Sequence, residues 1–284
     1  MADTMLSFKN DSLVSFMSKE EMHQKAPYIF SKERTNPKVS QRYVFASTET
    51  IIDDFAKLGW GVVDCKQQRA TKRGAGIRSY HMVVLQNPKI FITEENDGAS
   101  RVECYPRIIL TNSHDGFNSF KFMVGMFRLV CSNGLVIATE KFADISIRHI
   151  NYTFEKLRGV VAKAIEAVTA HVELMNEMKE IHLTKEQKED FAISAIKIRK
   201  NDENIKVSEE DVEEILKPLR EDDIGDDAWT IFNILQEKII KGEFKFGFTK
   251  SGKRRKARPI TGVSKDIEVN QNLFRKALSY RIAA

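Results

Sequence analysis

The chain has 284 residues, 42% hydrophobic and 30% charged, with a formal net charge of +5 and three cysteines. That apolar content supports a real core in one large domain or two smaller ones and excludes global disorder. There is no apolar run of membrane-spanning length, no basic-then-apolar leader at Met1-Ala2-Asp3-Thr4-Met5, and no CxxC or Cys/His pairing around Cys65, Cys104 and Cys131. The expectation is a cytoplasmic protein, with buried reduced cysteines and no membrane association, structural zinc or cofactor.

Residues 1–40 are polar and mixed, carry Pro27 and Pro37, and read as an N-terminal arm. Ser47 or Thr48 can cap a helix that runs to about Leu58. Its apolar face is Ile51, Ile52, Phe55 and Leu58, and Gly59 is a natural terminator. Strand signals follow at Trp60–Arg69, Ser79–Gln86 and Arg101–Thr111, with a flexible basic connection through Lys72, Arg73, Gly74 and Gly76.

Two blocks come next, Leu110-Thr111-Asn112-Ser113-His114-Asp115-Gly116 and Phe127-Arg128-Leu129-Val130-Cys131-Ser132-Asn133-Gly134. Asp115-Gly116 and Asn133-Gly134 each fit a two-residue hairpin turn, because these residues tolerate positive φ. The strand Phe120–Cys131 between them is apolar on both faces, so it should be central in an antiparallel meander. A rival reading makes Val124–Cys131 a short helix ended by Asn133-Gly134. In the meander the two turns lie at opposite ends of the sheet and cannot form one catalytic centre within a subunit.

After Tyr152 the period becomes helical. Phe154, Leu157, Val161, Ala164, Ile165, Val168, Val172, Met175 and Met178 mark one long amphipathic helix. Shorter helices are expected at Thr184–Lys197, Ser208–Leu219 and Asp227–Lys241, then a basic loop Thr249–Gly262 and a last helix from about Val269 to Ile282. Ser208 with Asp211 is similar to a capping box. The fold class is α+β: an antiparallel β-meander packed against a long helix, then a helical C-terminal region with a basic tail. The organisation is an arm at 1–40, an α+β core at 41–182, a helical region at 183–248, and a basic loop with terminal helix at 249–284.

Charge is unevenly placed. Residues 173–227 carry 9 Lys/Arg against 18 Asp/Glu, whereas residues 241–284 carry 12 against 3. The densest basic cluster is Lys250, Lys253, Arg254, Arg255, Lys256 and Arg258. It reads as a phosphate-binding loop or, alternatively, as a loop docked on the acidic 208–227 segment. Lys66, Arg69, Lys72, Arg73 and Arg78 form a second basic set, near Trp60, Tyr80 and His81, which can stack on bases. His114-Asp115 and His149 have the residue types of acid–base or metal chemistry, but a turn-forming role is preferred for Asn112, Ser113 and Asp115. Arg128 in its apolar run needs a carboxylate, such as Asp144 or Glu103, or a bound anion. GxxxxGK[ST], GxGxxG, HExxH and GxSxG are all absent.

The chain resembles the phage/plasmid-like protein family of unknown function from about Ser40 to Ala277. The likeness rests on Ser40-Gln41-Arg42-Tyr43-Val44-Phe45, Gln68-Arg69, His81-Met82, the two blocks, Trp229-Thr230-Ile231-Phe232-Asn233, Gln236-Glu237, and Gly252-Lys253-Arg254-Arg255-Lys256-Ala257-Arg258-Pro259-Ile260-Thr261-Gly262. It implies mobile-element biology rather than a reaction. The order of a helix ending in Gly-Trp, a meander and a long helix is also similar to single-strand annealing recombinases. That likeness implies rings or filaments on single-stranded DNA.

The expected function is therefore a phage- or plasmid-encoded protein that binds single-stranded DNA without sequence specificity in recombination or replication, as a homo-oligomer. One alternative is a metal-dependent nuclease or hydrolase using His114 and Asp115. Another is an interaction protein that blocks a host-defence factor.

Overall fold

The computed structural model describes residues 3–8, 15–34, 45–68, 79–96, 99–116, 120–128, 133–137, 152–248 and 252–281. By its internal contacts the chain divides into two units, residues 1–129 with 136–171, and residues 130–135 with 172–284.

The first unit is organised by one long strand, β5 (Ala99–Asn112), numbered after β1 (Asp3–Phe8), β2 (Gly61–Gln67), β3 (His81–Gln86) and β4 (Ile90–Asn96). One edge of β5 pairs with β4 from Asn96↔Ala99 to Ile92↔Cys104, and then with β3 from Gln86↔Arg107 to His81↔Asn112. β3 and β4 are thus successive pieces of one interrupted strand. The break falls at Asn87-Pro88-Lys89, where proline has no N–H to donate and the Asn87 carbonyl turns to accept from Ile90 N at 3.2 Å. Outside this edge, β2 pairs β3 and β1 pairs β4, both antiparallel. The expected arm therefore contributes a strand. It also contributes α1 (Lys19–Lys25), closed by a Ser18–Glu21 capping box, and a 3-10 turn at Pro27–Phe30.

Along its other edge β5 pairs with β6 (Lys121–Arg128), which in turn lies beside β7 (Asn133–Ile137). The strand reading of 124–128 holds, and both faces of β6 are covered: Phe122, Val124 and Met126 on one, Met123 on the other. Both expected turns need correction. Thr111 pairs with Lys121, so β5 and β6 are joined by residues 113–120, not by Asp115-Gly116 alone. Asn133 and Gly134 belong to β7, so the connection before them falls on 129–132, outside the described residues. A strand at the sheet edge tolerates Asn and Gly better than a central one.

α2 (Thr48–Lys57) begins at Ser47, whose hydroxyl accepts from Thr50 N, and ends before Gly59 at φ +82°. It buries Ile51, Ile52 and Phe55, and the Phe55 ring meets Phe122 edge-on at 5.9 Å, which seats the helix on the sheet. Cys65 and Cys104 are buried thiols in β2 and β5. Burial pushes Cys65 up to about 11, the behaviour of an unreactive packing residue. Cys131 lies outside the described residues. α3 (Phe154–Glu180) is the long helix, about 40 Å at 1.5 Å per residue. Its buried stripe is Leu157, Val160, Ala164, Val168, Val172, Met175 and Met178. The division between the units falls within it.

The second unit is helical. α4 (Lys185–Lys200) starts at a Thr184–Gln187 capping box, and α5 (Glu209–Leu216) at the expected Ser208–Asp211 box. α6 (Ala228–Lys241) is buried on nearly every side, and its buried polar residues are paired: Gln236 with Asn270 at 2.7 Å, Glu237 with Arg220 at 2.8 Å, and Lys238 with the Glu214 carbonyl at 2.6 Å. Trp229 stacks on Phe232 at 5.8 Å, and Phe232 meets Phe274 of α7 (Val263–Ser279) at 5.7 Å. α7 begins six residues earlier than the sequence predicted, because Val263 and Asp266 are buried in its first turn. The expected basic loop instead contains a short strand, β9 (Arg254–Lys256), which pairs with β8 (Lys245–Phe248) just before the loop.

Candidate nucleic-acid interface

Two polar regions stand out, one in each unit. The first gathers the buried polar residues at the end of β5. Thr48, Ser79, His81, Asn112, Ser113 and His114 have no exposed surface, and Asp115 is only 2% exposed. Thr48 Oγ1 is the hub. It accepts from Asn112 Nδ2 at 2.9 Å and lies 2.8 Å from His81 Nε2 and 3.5 Å from His114 Nε2. Ser79 N donates to Asp115 Oδ2 at 3.2 Å, and His114 N donates to Ser79 Oγ at 2.7 Å. The His114 ring lies 5.0 Å from His81 and 4.8 Å from Phe45. Burial lowers His81 to about 4, so its ring is neutral at physiological pH.

This arrangement explains why Asp115-Gly116 is not a tight turn. Its carboxylate and the neighbouring N–H bind the backbone and hydroxyl of Ser79, pulling residues 113–115 inward, while Gly116 takes φ +77°. His114 and Asp115 both bond Ser79 and are buried, so the arrangement serves the backbone, as the preferred structural reading of Asp115 had it, rather than an open acid–base pair. Among the described residues no group of three or more His, Cys, Asp or Glu is placed to hold a metal ion.

The second region is the β8–β9 hairpin. Lys245 pairs with Lys256 and Phe248 with Arg254, so two residues, Phe246 and Gly247, oppose the single Arg255. That is a β-bulge, and Gly247 sits at φ +61°, a conformation glycine adopts without strain. Because strand side chains alternate, the bulge sorts the hairpin into two faces. Phe248, Arg254, Lys245 and Lys256 share one face, and Phe246 and Arg255 fall on the other.

Each of three rings carries a cation. Arg199 lies 5.7 Å from the Phe244 centroid, Lys200 5.0 Å from Phe246, and Arg254 5.6 Å from Phe248. Arg254 also meets acids of α5: Nη1 lies 3.1 Å from Glu210 and Nη2 2.8 Å from Asp211. Lys200 is different. Its ammonium is held below its ordinary value first by partial burial and then by repulsion from Arg199 and Arg255. Among the described residues, Lys200, Lys245, Arg255 and Lys256 form no ion pair with a carboxylate. The segment that follows is fixed by backbone, with Ala257 N donating to Phe244 O at 2.9 Å and Ile260 N to Ile240 O at 2.8 Å.

The basic cluster predicted from sequence therefore divides. Lys253, Arg255, Lys256 and Arg258 are exposed. Arg254 is engaged by the acidic helix, the docking that was the alternative reading of the loop. Lys66 is half-buried in β2. Arg69, Lys72, Arg73, Arg78, His149 and Lys250 lie outside the described residues. Arg128 is placed only by its strand position opposite Cys104. Trp60 and His81, expected as stacking residues beside the second basic set, are buried at 3% and 0% exposure and do not face a ligand. Lys200, Lys245, Phe246 and Phe248 escaped the sequence reading. The signal was there in Phe244-Lys245-Phe246-Gly247-Phe248, three aromatic residues at alternate positions around Lys245 just before the cluster.

A family model described as Domain of unknown function (DUF932) matches residues 37–274. UPF0380 protein YafZ of Escherichia coli (strain K12) is 27% identical over 258 residues, covering 91% of this chain and 89% of that protein. UPF0380 protein YfjQ of the same strain matches with the same identity and coverage. No solved structure matches.

Proposed function

The chain belongs to the family described as Domain of unknown function (DUF932), and on that footing we propose that it binds nucleic acid through the β8–β9 hairpin and the adjoining end of α4. The ligand is single-stranded DNA, held without sequence specificity. The role is in recombination or replication of a phage or plasmid, with the protein acting as a homo-oligomer.

The observation that carries this reading is the cation group Lys200, Arg255 and Arg199. Partial burial first, and then repulsion from Arg199 and Arg255, depress the Lys200 ammonium. Arg199 is held by the Ile239 and Arg258 carbonyls, while no carboxylate of the described residues pairs with Lys200 or Arg255. Such a group is favourable when a phosphate backbone supplies the missing charge and releases its counterions. Phe246 on that face is already covered by Lys200, and Phe248 on the opposite face of the hairpin supplies an exposed ring of the kind unpaired bases use. The mobile-element role and the self-assembly are supported by the family resemblance and the annealing-type element order.

A mobility shift with single-stranded DNA over a salt series tests the binding. Affinity should fall steeply with salt, with a slope of about −0.7 per phosphate neutralised. Absence of a shift at about 50 mM salt, where such contacts are strongest, ends the proposal. Particle size by light scattering, with and without the strand, tests the assembly.

A further inference from the structure

Phe248 is 60% exposed, far more than the buried phenylalanines Phe232, Phe244 and Phe274 of the same unit. An isolated exposed ring needs no explanation by itself. This one is held in place. Arg254, directly opposite in the hairpin register, places its guanidinium 5.6 Å from the ring centroid. That guanidinium is itself fixed by Asp211 at 2.8 Å, by Glu210 at 3.1 Å and by donation to the Lys245 carbonyl at 2.9 Å.

The bulge decides which way the ring faces. In a regular hairpin Phe248 would share the face of Phe246, where Lys200 already lies. The extra residue turns Phe248 onto the face of Lys245 and Lys256, both exposed. Glycine at 247 is required for the bend, not for space, since a Cβ there would meet nothing within 4 Å at φ +61°.

We propose that Phe248 is a stacking platform for one unpaired base, with Lys245 and Lys256 taking the flanking phosphates. The inference rests on the nucleic-acid reading above and narrows it, because only a strand whose bases are not already paired and stacked can offer a ring face to Phe248. The charge around the ring selects this occupant. A protein partner would meet two exposed ammoniums beside a single small apolar contact, whereas a nucleotide presents a flat ring beside an anion.

The test compares two fluorescent strands of equal length, oligo-thymidine and an abasic strand with the same phosphates, by anisotropy. The wild-type protein should bind the base-bearing strand about tenfold tighter, the size of one stacking contact. Phe248→Ala should abolish that preference while leaving the abasic affinity and the salt slope unchanged, and Phe248→Trp should restore it. Thermal melting of each variant confirms folding, and an exposed ring makes that outcome the expected one. Equal wild-type binding of the two strands, or a preference that survives Phe248→Ala, overturns the stacking inference and leaves polyanion binding standing. If neither strand binds, the hairpin reading itself fails and the inference falls with it.

Discussion

The polar residues at the end of β5 and those of the β8–β9 hairpin are similar in number but opposite in arrangement. At the end of β5 hydroxyl, amide, imidazole and carboxylate groups are buried and bonded to one another through Thr48 and Ser79. At the hairpin, cations are exposed, arranged by a bulge, and left without opposite charge at Lys200 and Arg255. Polar residues beside an apolar run therefore have two distinct meanings. Where partners converge they hold structure, and where like charges converge without a carboxylate they can take up an anion, which is what we propose for the hairpin.

The sharpest way to break the hairpin region is through its seat. Gly242 ends α6 at φ +71°, and a Cβ there would come within 2.6 Å of the Arg258 backbone carbon. Gly242→Ala should destabilise the protein by about 3 kcal/mol, combining left-handed strain with displacement of backbone rather than of a flexible side chain. Urea denaturation measures this, and a loss below about 1 kcal/mol would mean the segment yields freely.

The buried network should respond to acid. His81 is held to about 4 by burial, opposed by a bond to the Ser79 carbonyl and by the Asp115 charge. A native value below the unfolded one means that the unfolded chain takes up the proton first. The stabilisation is full above about pH 6.5 and is lost as pH falls toward 4, by about 3 kcal/mol. Denaturation midpoints at pH 7.5, 6 and 4.5 should decline in that order, and His81→Asn should flatten the decline. An unchanged slope in that variant would place the acid sensitivity elsewhere.

How far these regions were legible in sequence follows from the same contrast. The helices α2, α4, α5 and α6 could be read because their signals are local: Ser47, Thr184, Ser208 and Asp227 each accept from a backbone N–H three residues on. β4 was missed because its apolar half ends in Glu94-Glu95-Asn96. Yet Asp97-Gly98 between β4 and β5 is the same turn signal that drew attention to Asp115-Gly116. The Thr48 hub was not legible, since its partners are 33 and 64 residues away in the chain. Nor was the hairpin's sorting of Arg254 from Arg255. Adjacent arginines look equivalent in sequence, and only the register and the position of α5 separate them.

That pair gives the next test. Arg254→Ala leaves Asp211, only 4% exposed, without its cation and should cost about 2 kcal/mol of stability. Arg255→Ala should change stability by less than about 0.5 kcal/mol. It should instead weaken single-strand binding and reduce the salt slope by about 0.7. Thermal melts and salt-series titrations of the two variants separate the roles. Equal stability losses would erase the distinction between a structural and a ligand-facing arginine.

The smallest effect belongs to an exposed pair that belongs to neither region. His182 Nδ1 lies 2.8 Å from Asp226 Oδ1, beside the bridge that ties the end of α3 to the start of α6. The hydrogen bond that His182 donates to Asp226 raises His182, and the same bond lowers Asp226. The His182 contribution is present below the unfolded imidazole value near 6.5 and disappears as pH rises through the higher folded value. The Asp226 contribution is present above the ordinary carboxylate value near 3.9 and disappears as pH falls through the lower folded one. The pair therefore stabilises between about pH 4 and 6.5, the interval in which the His81 effect runs the other way. His182→Gln should lower the melting temperature in that window and leave it unchanged at pH 8.5. Full exposure and salt screening keep the shift small, and 1 M salt should remove most of it. A shift of equal size at every pH would mean that the ring packs rather than pairs, and that the bridge is held by backbone alone.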